Sequence, residues 1–250
     1  MSVAAPWPVG YRRKAFDVLD STNEEARRLA LAGEQGPVWI TAGRQTAGRG
    51  RRGRQWETAS GNLAATLFLR PGRPAADCAQ LSFVAALAAH DVVSGYVLSA
   101  DVRVKWPNDI LIDGKKICGI LLESASSGTA VPDWLAIGLG LNLATSPERT
   151  ETPATSMAAF GVPAPAPAAA LQALAASFAG WYRLWHEKGF APVREAWLAR
   201  AAGLGTRIRA RLEGGEWYGV FEGIDENGAL ILREAQGRIR TIAAGEIFFG

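Results

Sequence analysis

The stretch Ile110-Leu-Ile-Asp-Gly-Lys-Lys-Ile-Cys-Gly-Ile-Leu-Leu-Glu123 has the pattern of a β-hairpin. Two apolar segments, residues 110–112 and 117–123, flank the dipeptide Asp113-Gly114, which strongly favours a hairpin turn. A hairpin at this place favours a sheet domain of α/β or α+β class over a regular array of βαβ units.

The segments before and after the hairpin predict further helices and strands. Residues 20–31 predict a helix with Ser21 or Thr22 as its N-cap, and Glu24 and Glu25 are placed as in a capping box. Apolar and Ala-rich runs predict strands at residues 38–41, 62–69, 102–106 and 134–143, and helices at 77–96, 168–187 and 192–202. Because strands and helices do not alternate regularly, this order suits an α/β or α+β sheet domain with a hairpin.

The pattern changes after residue 205. Short strand-like runs at residues 206–212, 217–224, 229–233 and 238–242 are separated by Gly214-Gly215, Asn227-Gly228 and Gln236-Gly237. Strands at this spacing with glycine turns predict a small antiparallel barrel. We therefore expect two domains, residues 1–202 and 203–250.

The composition is that of a globular protein, with 48% hydrophobic and 20% charged residues. Lys and Arg exceed Asp and Glu by 27 to 24, and a net charge of +3 does not by itself indicate a nucleic-acid or membrane partner. Two cysteines in a chain of 250 residues favour a reducing compartment over a disulfide framework. No cysteine cluster accompanies His90 or His186, so we expect no zinc site.

The N-terminus lacks the residue order of a signal peptide. We also expect no apolar run that approaches the roughly 20 residues needed to span a bilayer. Both considerations predict a cytoplasmic protein with no membrane partner.

The most unusual segment is Arg44-Gln-Thr-Ala-Gly-Arg-Gly-Arg-Arg-Gly-Arg54, which carries five arginines and three glycines. Glycines let a backbone approach a ligand closely, and arginines bind phosphate or carboxylate groups. The segment suits a loop that closes over a polyanion such as ATP. The alternatives are a nucleic-acid-binding patch and a solvated loop. The absence of interleaved aromatic residues for base stacking weakens the nucleic-acid interpretation. With no apolar anchor and with mutually repelling arginines, the empty loop is expected to be mobile.

Three further segments carry polar groups at the ends of apolar strands. In Val104-Lys-Trp-Pro-Asn-Asp109, Lys105 ends a strand and could enter a pocket, although Pro-Asn-Asp is also ordinary turn chemistry. Gly119 in the hairpin arm suggests close backbone approach, although an ordinary hairpin arm is the favoured interpretation of this segment. In Gly138-Leu-Gly-Leu-Asn142, two glycines leave room beside an apolar strand that ends in Asn142.

Taken together and in this order, the motifs resemble those of the biotin–protein ligase family. The matching segments are Ser21-Thr-Asn23, Gln45-Thr-Ala-Gly-Arg-Gly-Arg-Arg-Gly-Arg54, Lys105-Trp-Pro-Asn-Asp109, Lys116-Ile-Cys-Gly-Ile-Leu-Leu-Glu123 and Gly138-Leu-Gly-Leu-Asn142. The resemblance covers about residues 16–250. It implies an α+β fold with a mixed sheet and helices, akin to class II aminoacyl-tRNA synthetases, followed by an SH3-like barrel.

The resemblance also implies roles for individual residues. The expected ligand-binding residues are Ser21, Thr22, Asn23, Gln45, Gly48, Arg49, Gly50, Arg51, Lys105, Asn108, Asp109, Lys116, Gly119 and Asn142. Among them, Ser21, Thr22 and Gln45 would bind the biotin ureido group. Gly48 to Arg51 would cover biotin and the adenylate phosphate, and Lys105 would contact the biotin carboxylate and the α-phosphate. Asn108, Asp109, Lys116 and Asn142 would line the ATP side, where Asp109 would face Mg²⁺. Lys105, Arg49 and Arg51 would be catalytic.

The implied reaction joins biotin to AMP with MgATP and then transfers biotin to a lysine of a biotin carboxyl carrier protein domain. DNA-binding repression is not expected, because only about twenty residues precede Ser21, too few for a helix-turn-helix domain. A lipoate–protein ligase and a nucleic-acid-binding module remain the alternative functions. The oligomeric state is open, with a homodimer as one option.

Overall fold

A seven-stranded mixed sheet forms the frame of the N-terminal part in a computed structural model, which describes residues 6–148 and 150–249. Its strands are β1 (Arg12–Leu19), β2 (Val38–Gln45), β3 (Leu63–Leu69), β4 (Val102–Lys105), β5 (Asp109–Ile112), β6 (Lys115–Ala125) and β7 (Trp134–Leu141). They lie in the order β1-β2-β3-β7-β6-β5-β4, and every neighbouring pair is antiparallel except β1 with β2. The prediction of an α+β fold is confirmed.

The predicted hairpin is present between β5 and β6. Asp113 and Gly114 both adopt positive φ angles, of 47° and 76°, as a tight turn of this kind requires. The longer arm, β6, then pairs along β7 from Cys118 to Ala125. The hairpin therefore lies between β7 and the edge strand β4.

Strand β1 was not predicted. Its sequence, RRKAFDVL, has no apolar alternation, and its residues are largely exposed. It is an edge strand that pairs in parallel with β2, so it buries little side-chain surface and leaves no pattern for sequence reasoning to detect.

Among the described residues, five α-helices cover the sheet: α1 (Thr22–Leu31), α2 (Ala75–Ala79), α3 (Leu81–Tyr96), α4 (Pro167–Lys188) and α5 (Ala191–Leu198). Helix α1 packs on one face of the sheet, where Ala26 and Leu29 join the buried cluster of Ile40 and Phe68. On the other face, α3 lies between the sheet and helices α4 and α5.

The predicted capping box at the start of α1 is wrong. Ser21 does occupy the N-cap position, but its side chain makes no capping hydrogen bond. Instead, the Thr22 amide donates to Oε1 of Gln45, 2.8 Å away on β2. Gln45 thus satisfies the amide of the first helical residue, and the Ser21 side chain lines a cavity described below.

The expectation that no apolar run approaches the length of a membrane span is also wrong. Helices α2 and α3 together make a segment of 22 residues, Ala75–Tyr96, with a mean hydropathy of 1.2. The fold buries 72% of its most apolar window, so the segment serves as a core helix. Cys78 and Cys118 are buried and do not pair, as expected.

The C-terminal strands form a second sheet that is antiparallel throughout. Its strands are β8 (Arg207–Leu212), β9 (Gly215–Ile224), β10 (Leu230–Glu234), β11 (Ile239–Ile242) and β12 (Glu246–Phe249), in the order β11-β10-β9-β8-β12. Strand β12 was not predicted, because its four residues are too short for a pattern. The sheet packs on the N-terminal part, where Nε1 of Trp106 donates to the Gly228 carbonyl at 3.0 Å.

Candidate active site

A cavity of about 360 Å³ lies where the start of α1, the arginine-rich segment, the ends of β4 to β7 and strand β12 meet. Every site residue predicted from the sequence except Gly48 lines it. These are Ser21, Thr22, Asn23, Gln45, Arg49, Gly50, Arg51, Lys105, Asn108, Asp109, Lys116, Gly119 and Asn142. Residues from five separate motifs are therefore brought to one place.

Gly48 lies in the base of the arginine-rich loop, which we define as residues 48–56. The Trp56 amide donates to the Gly48 carbonyl at 2.9 Å, and a β-carbon at residue 48 would overlap the Trp56 carbonyl oxygen. Gly48 therefore permits the two ends of the loop to meet. Its predicted contact with ligand stays a prediction.

One end of the cavity is a network of neutral polar side chains. Thr22 and Asn23 are each 4% exposed. Gln45 accepts from the Thr22 amide and donates through Nε2 to Oγ1 of Thr58 at 3.1 Å. Asn23 donates through Nδ2 to Oε2 of Glu123 at 2.7 Å. These bonds fix the side chains in directions suited to recognise a small polar group.

The strand glycines provide the room that the sequence predicted. Gly119 and Gly140 are cross-strand partners on β6 and β7, and the indole of Trp56 lies against both. A β-carbon at Gly140 would overlap that indole, and one at Gly138 would overlap the Asn23 amide. Sequence reasoning missed Trp56, although it directly follows the arginine-rich segment.

The other end of the cavity is cationic. Lys105 is only 7% exposed, and its Nζ lies 5.4 Å from the ring centre of Phe248 and 5.7 Å from that of Phe249. Burial lowers the pKa of Lys105, against the opposing effect of Asp109. Nζ of Lys116 lies 2.6 Å from Oδ1 of Asp109. Two lysines thus share one carboxylate, which leaves net positive charge for an anionic ligand.

The arginine-rich loop is held by acidic residues outside it, which the sequence did not reveal. Arg49 lies 3.4 Å from both Glu24 and Glu123. Arg54 pairs with Glu151 and Glu246. These ion pairs offset the repulsion among the arginines. The prediction of a mobile empty loop was made without them.

Arg51 enters the cavity and is the most enclosed arginine of the loop. Its Nη1 donates to Oδ1 of Asn108 at 3.4 Å and to the Gly245 carbonyl at 3.2 Å. Burial lowers its pKa, with Glu246 opposing that effect. Asn108 also donates through Nδ2 to the Ile120 carbonyl, which fixes its amide. Asn142, 2% exposed, donates to the Thr155 carbonyl and so holds the segment that borders the cavity.

Asp109 is the residue that the sequence predicted to face Mg²⁺. Its Oδ1 is buried and accepts no directed hydrogen bond, although it forms the ion pair with Lys116. Within residues 6–148 and 150–249, no group of three or more His, Cys, Asp or Glu side chains could hold a metal. The residues present therefore fit Mg²⁺ only as an ion that takes most of its ligands from phosphate and water.

The family profile described as biotin/lipoate A/B protein ligase matches residues 15–142, and the biotin protein ligase C-terminal domain profile matches residues 203–250. The chain is 49% identical to a biotin–[acetyl-CoA-carboxylase] ligase of Paracoccus denitrificans, over 92% of this chain and 98% of that protein. It is 36% identical to a bifunctional ligase/repressor of Bacillus subtilis, over 94% of this chain and 73% of that protein.

A solved structure shares the architecture. The biotin protein ligase of Aquifex aeolicus, in complex with biotin and ATP, superposes with a TM-score of 0.80 at 26% identity. The match covers 95% of this chain and 97% of that one. Sequence and fold agree over nearly the full length, and the chain therefore belongs to the biotin/lipoate A/B protein ligase family, among its biotin protein ligases.

Proposed function

We propose that this protein activates biotin with MgATP to form biotinyl-5′-AMP and pyrophosphate, and then transfers biotin to a lysine of a biotin carboxyl carrier domain. One observation carries the proposal. A single cavity joins a neutral hydrogen-bonding end, at Thr22 and Gln45, to a cationic end at Lys105, Lys116 and Arg51. Biotin has a neutral urea group at one end and a carboxylate at the other, so the two ends correspond.

In the first step, a carboxylate oxygen of biotin attacks the α-phosphorus of ATP, and the bond to pyrophosphate breaks. Two anions must approach each other, and the barrier falls if fixed cations surround the place where charge develops. We assign this task to Lys105, which is buried, to Arg51, which is partly buried and held by Asn108 and Gly245, and to Arg49 of the loop. Mg²⁺, bound with phosphate oxygens at Asp109, would neutralise further phosphate charge.

In the second step, a lysine amine attacks the carbonyl carbon of the adenylate, and AMP leaves. The mixed anhydride is destroyed by water, so it must be shielded until the carrier arrives. We assign the shield to the arginine-rich loop, which borders the cavity and already bonds to Gly245 of the C-terminal part.

Biotin is favoured over lipoate for two reasons. The C-terminal part matches the biotin protein ligase C-terminal profile. The neutral end of the cavity also presents the hydrogen-bonding side chains of Thr22 and Gln45, and the dithiolane ring of lipoate has no polar group to bond with them. The nucleic-acid alternative is disfavoured, because Glu24, Glu123, Glu151 and Glu246 occupy the arginines that it requires.

The remaining assignments are extensions of this proposal. We divide the chain into a catalytic domain, residues 1–202, and a C-terminal domain, residues 203–250. We place the enzyme in the cytoplasm, with a carboxylase carrier domain as its partner and with neither DNA nor a membrane as a ligand. A homodimer and a monomer are both compatible with this mechanism.

The test is a mass measurement. The protein is incubated with biotin, MgATP and a carrier domain that another ligase can modify. The carrier should gain the mass of one biotinyl group, whereas lipoate in place of biotin should give no gain. An unmodified carrier with biotin, or equal modification by lipoate, would overturn the proposal.

A further inference from the structure

Thr66 is a polar residue in the middle of the sheet that sequence reasoning did not single out. It lies on β3, is 0% exposed, and does not itself line the cavity. We infer that Thr66 fixes Thr22 as a hydrogen-bond acceptor and thereby selects a ligand that presents an N–H donor, as a urea does. This inference rests on the proposed function and specifies how the neutral end of the cavity recognises its substrate.

Thr66 sits in a row across three strands beneath α1. Its cross-strand partner on β7 is Gly138, and the partner of Gly138 on β6 is Leu121. The Asn23 side chain fills the space above Gly138, where a β-carbon would overlap it. Asn23 is therefore enclosed by β3, β7 and β6, and it reaches Thr66 with Oδ1 at 2.6 Å.

The hydrogen-bond polarity of the row is set on β6. The Leu121 carbonyl, 3.4 Å from Nδ2 of Asn23, only accepts, so Asn23 must point Nδ2 toward Leu121 and Glu123 and Oδ1 toward Thr66. An amide oxygen also only accepts. The single hydroxyl proton of Thr66 must therefore go to Asn23.

The proton between the hydroxyl groups of Thr66 and Thr22 can be assigned in the same way. Oγ1 of Thr66 and Oγ1 of Thr22 are 2.7 Å apart and buried, so one proton must lie between them. The proton of Thr66 is already used, so Thr22 must supply it, in preference to its longer contact of 3.1 Å with Gln45. The lone pairs of Thr22 then face the cavity, and they can only accept.

This polarity distinguishes ligands of equal size. A urea N–H donates to Thr22, whereas an oxygen at the same position would face the lone pairs of Thr22 without a proton between them. A buried unpaired polar contact typically costs about 1–3 kcal/mol, which corresponds to roughly fivefold to 150-fold in affinity. Thr66 is thus a positioning residue whose effect falls on biotin binding.

The test compares biotin with its cyclic-carbamate analogues, in which an oxygen replaces one ring N–H. Affinities are measured by calorimetry for the full chain, for Thr66→Val, which keeps the shape without the hydroxyl, and for Thr66→Ser, which keeps the hydroxyl. Thr66→Val should weaken biotin binding by about tenfold to a hundredfold and reduce the preference for biotin over the less favoured carbamate. The KM for ATP should change much less, and Thr66→Ser should restore most of the biotin affinity and the preference.

The outcomes separate this inference from the proposed function. If the unmodified protein binds biotin and Thr66→Val keeps the same preference for biotin over carbamate, the role of Thr66 is wrong and the proposed function stands. If the unmodified protein binds no biotin, both are wrong. Thermal unfolding checks that each variant is folded. Should Thr66→Val fail to fold, Thr66→Ala removes the same hydroxyl, and its affinity for biotin is compared with its affinity for the carbamate in the same way.

Discussion

Nη1 of Arg54 lies 2.9 Å from Oε1 of Glu246, which ties the arginine-rich loop to strand β12 of the C-terminal sheet. Arg54 also reaches Glu151 at 3.0 Å, and Arg211 pairs with both carboxylates, at 2.6 Å to Glu151 and 2.5 Å to Glu246. The four side chains form a closed ring of alternating charge at the border of the cavity. Four segments that are separate in sequence are held together by it.

Replacing Glu246 with Gln should loosen the loop. Burial raises the pKa of Glu246, but hydrogen bonds from Arg211 and Arg54 outweigh it and leave the pKa below its ordinary value, so the side chain is ionised at pH 7. The amide cannot hold two arginines. We expect trypsin to cleave after residues 49–54 several-fold faster in Glu246→Gln than in the unmodified protein, and biotin with MgATP to slow cleavage in both.

Glu234→Gln is the matched control, because Glu234 pairs with Arg240 within the same sheet but away from the loop. Its cleavage rate should equal that of the unmodified protein. Equal rates in all three proteins would show that the ring does not restrain the loop. Cleavage that biotin and MgATP leave unchanged would mean that the loop does not close over ligand.

Lys105 should set the alkaline limit of adenylation. Burial lowers its pKa below the ordinary value of 10.5, so the charge of Lys105 is lost as the pH rises through the lowered value. The adenylation rate should fall in the same range. In Lys105→Arg the fall should move to higher pH, because guanidinium does not deprotonate there. The pH dependence of the adenylation rate is measured by single-turnover pyrophosphate release. If the rate falls at the same pH in Lys105→Arg as in the unmodified protein, the titrating group is not Lys105.

Removing the charge of Lys105 altogether should cost a few kcal/mol of transition-state stabilisation, roughly 10²–10³ in rate. Lys105→Met is the suitable variant, because its side chain keeps the packing against Phe248 and Phe249. Circular dichroism should confirm an unchanged fold. A folded Lys105→Met with the unmodified single-turnover rate would remove Lys105 from the reaction.

The local parts of this architecture could be predicted from sequence, and the long-range parts could not. The hairpin followed from Asp113-Gly114, because a two-residue turn carries its own conformational requirement. The cavity glycines, Gly138 and Gly140, were recognisable as gaps in an apolar strand. What fills those gaps, Asn23 and Trp56, depends on how distant segments pack.

The C-terminal contribution to the site illustrates the same limit. Glu246 and Phe248 reach the cavity only because β12 pairs with β8 and the second sheet docks against the first. Neither residue stands in a motif that suggests a ligand. Likewise, the arginines of the loop predicted an anion site, but their acidic partners come from four other segments that no local pattern connects to them.

Gly140→Ala should alter the cavity while leaving the fold intact. The added methyl group would overlap the Trp56 indole, so the side chain must leave its place against β6 and β7. We expect biotin binding to weaken at least tenfold, an effect of over about 1 kcal/mol. Gly180→Ala is the control, because a β-carbon at this position in α4 meets nothing within 4 Å and alanine favours a helix. Unchanged affinity in Gly140→Ala would mean that the position of Trp56 does not shape the ligand site.

Trp106 should couple the two sheets during unfolding. Its indole is 1% exposed, and its Nε1 donates to the Gly228 carbonyl in the turn between β9 and β10. The same turn packs on Phe83 of α3, so the buried core continues from one sheet to the other. Trp106→Phe leaves that carbonyl without its donor and removes buried volume, which should lower the free energy of unfolding by about 2–4 kcal/mol.

Urea unfolding of Trp106→Phe, followed by far-ultraviolet circular dichroism and by tryptophan fluorescence, should remain one coincident transition, shifted to lower urea concentration. Tyr218→Phe, which loses only an exposed hydrogen bond to Glu216, should shift it by less than about 0.5 kcal/mol. Two separate transitions in the unmodified protein would show that the C-terminal sheet unfolds on its own and that the Trp106 contact does not link it to the catalytic part.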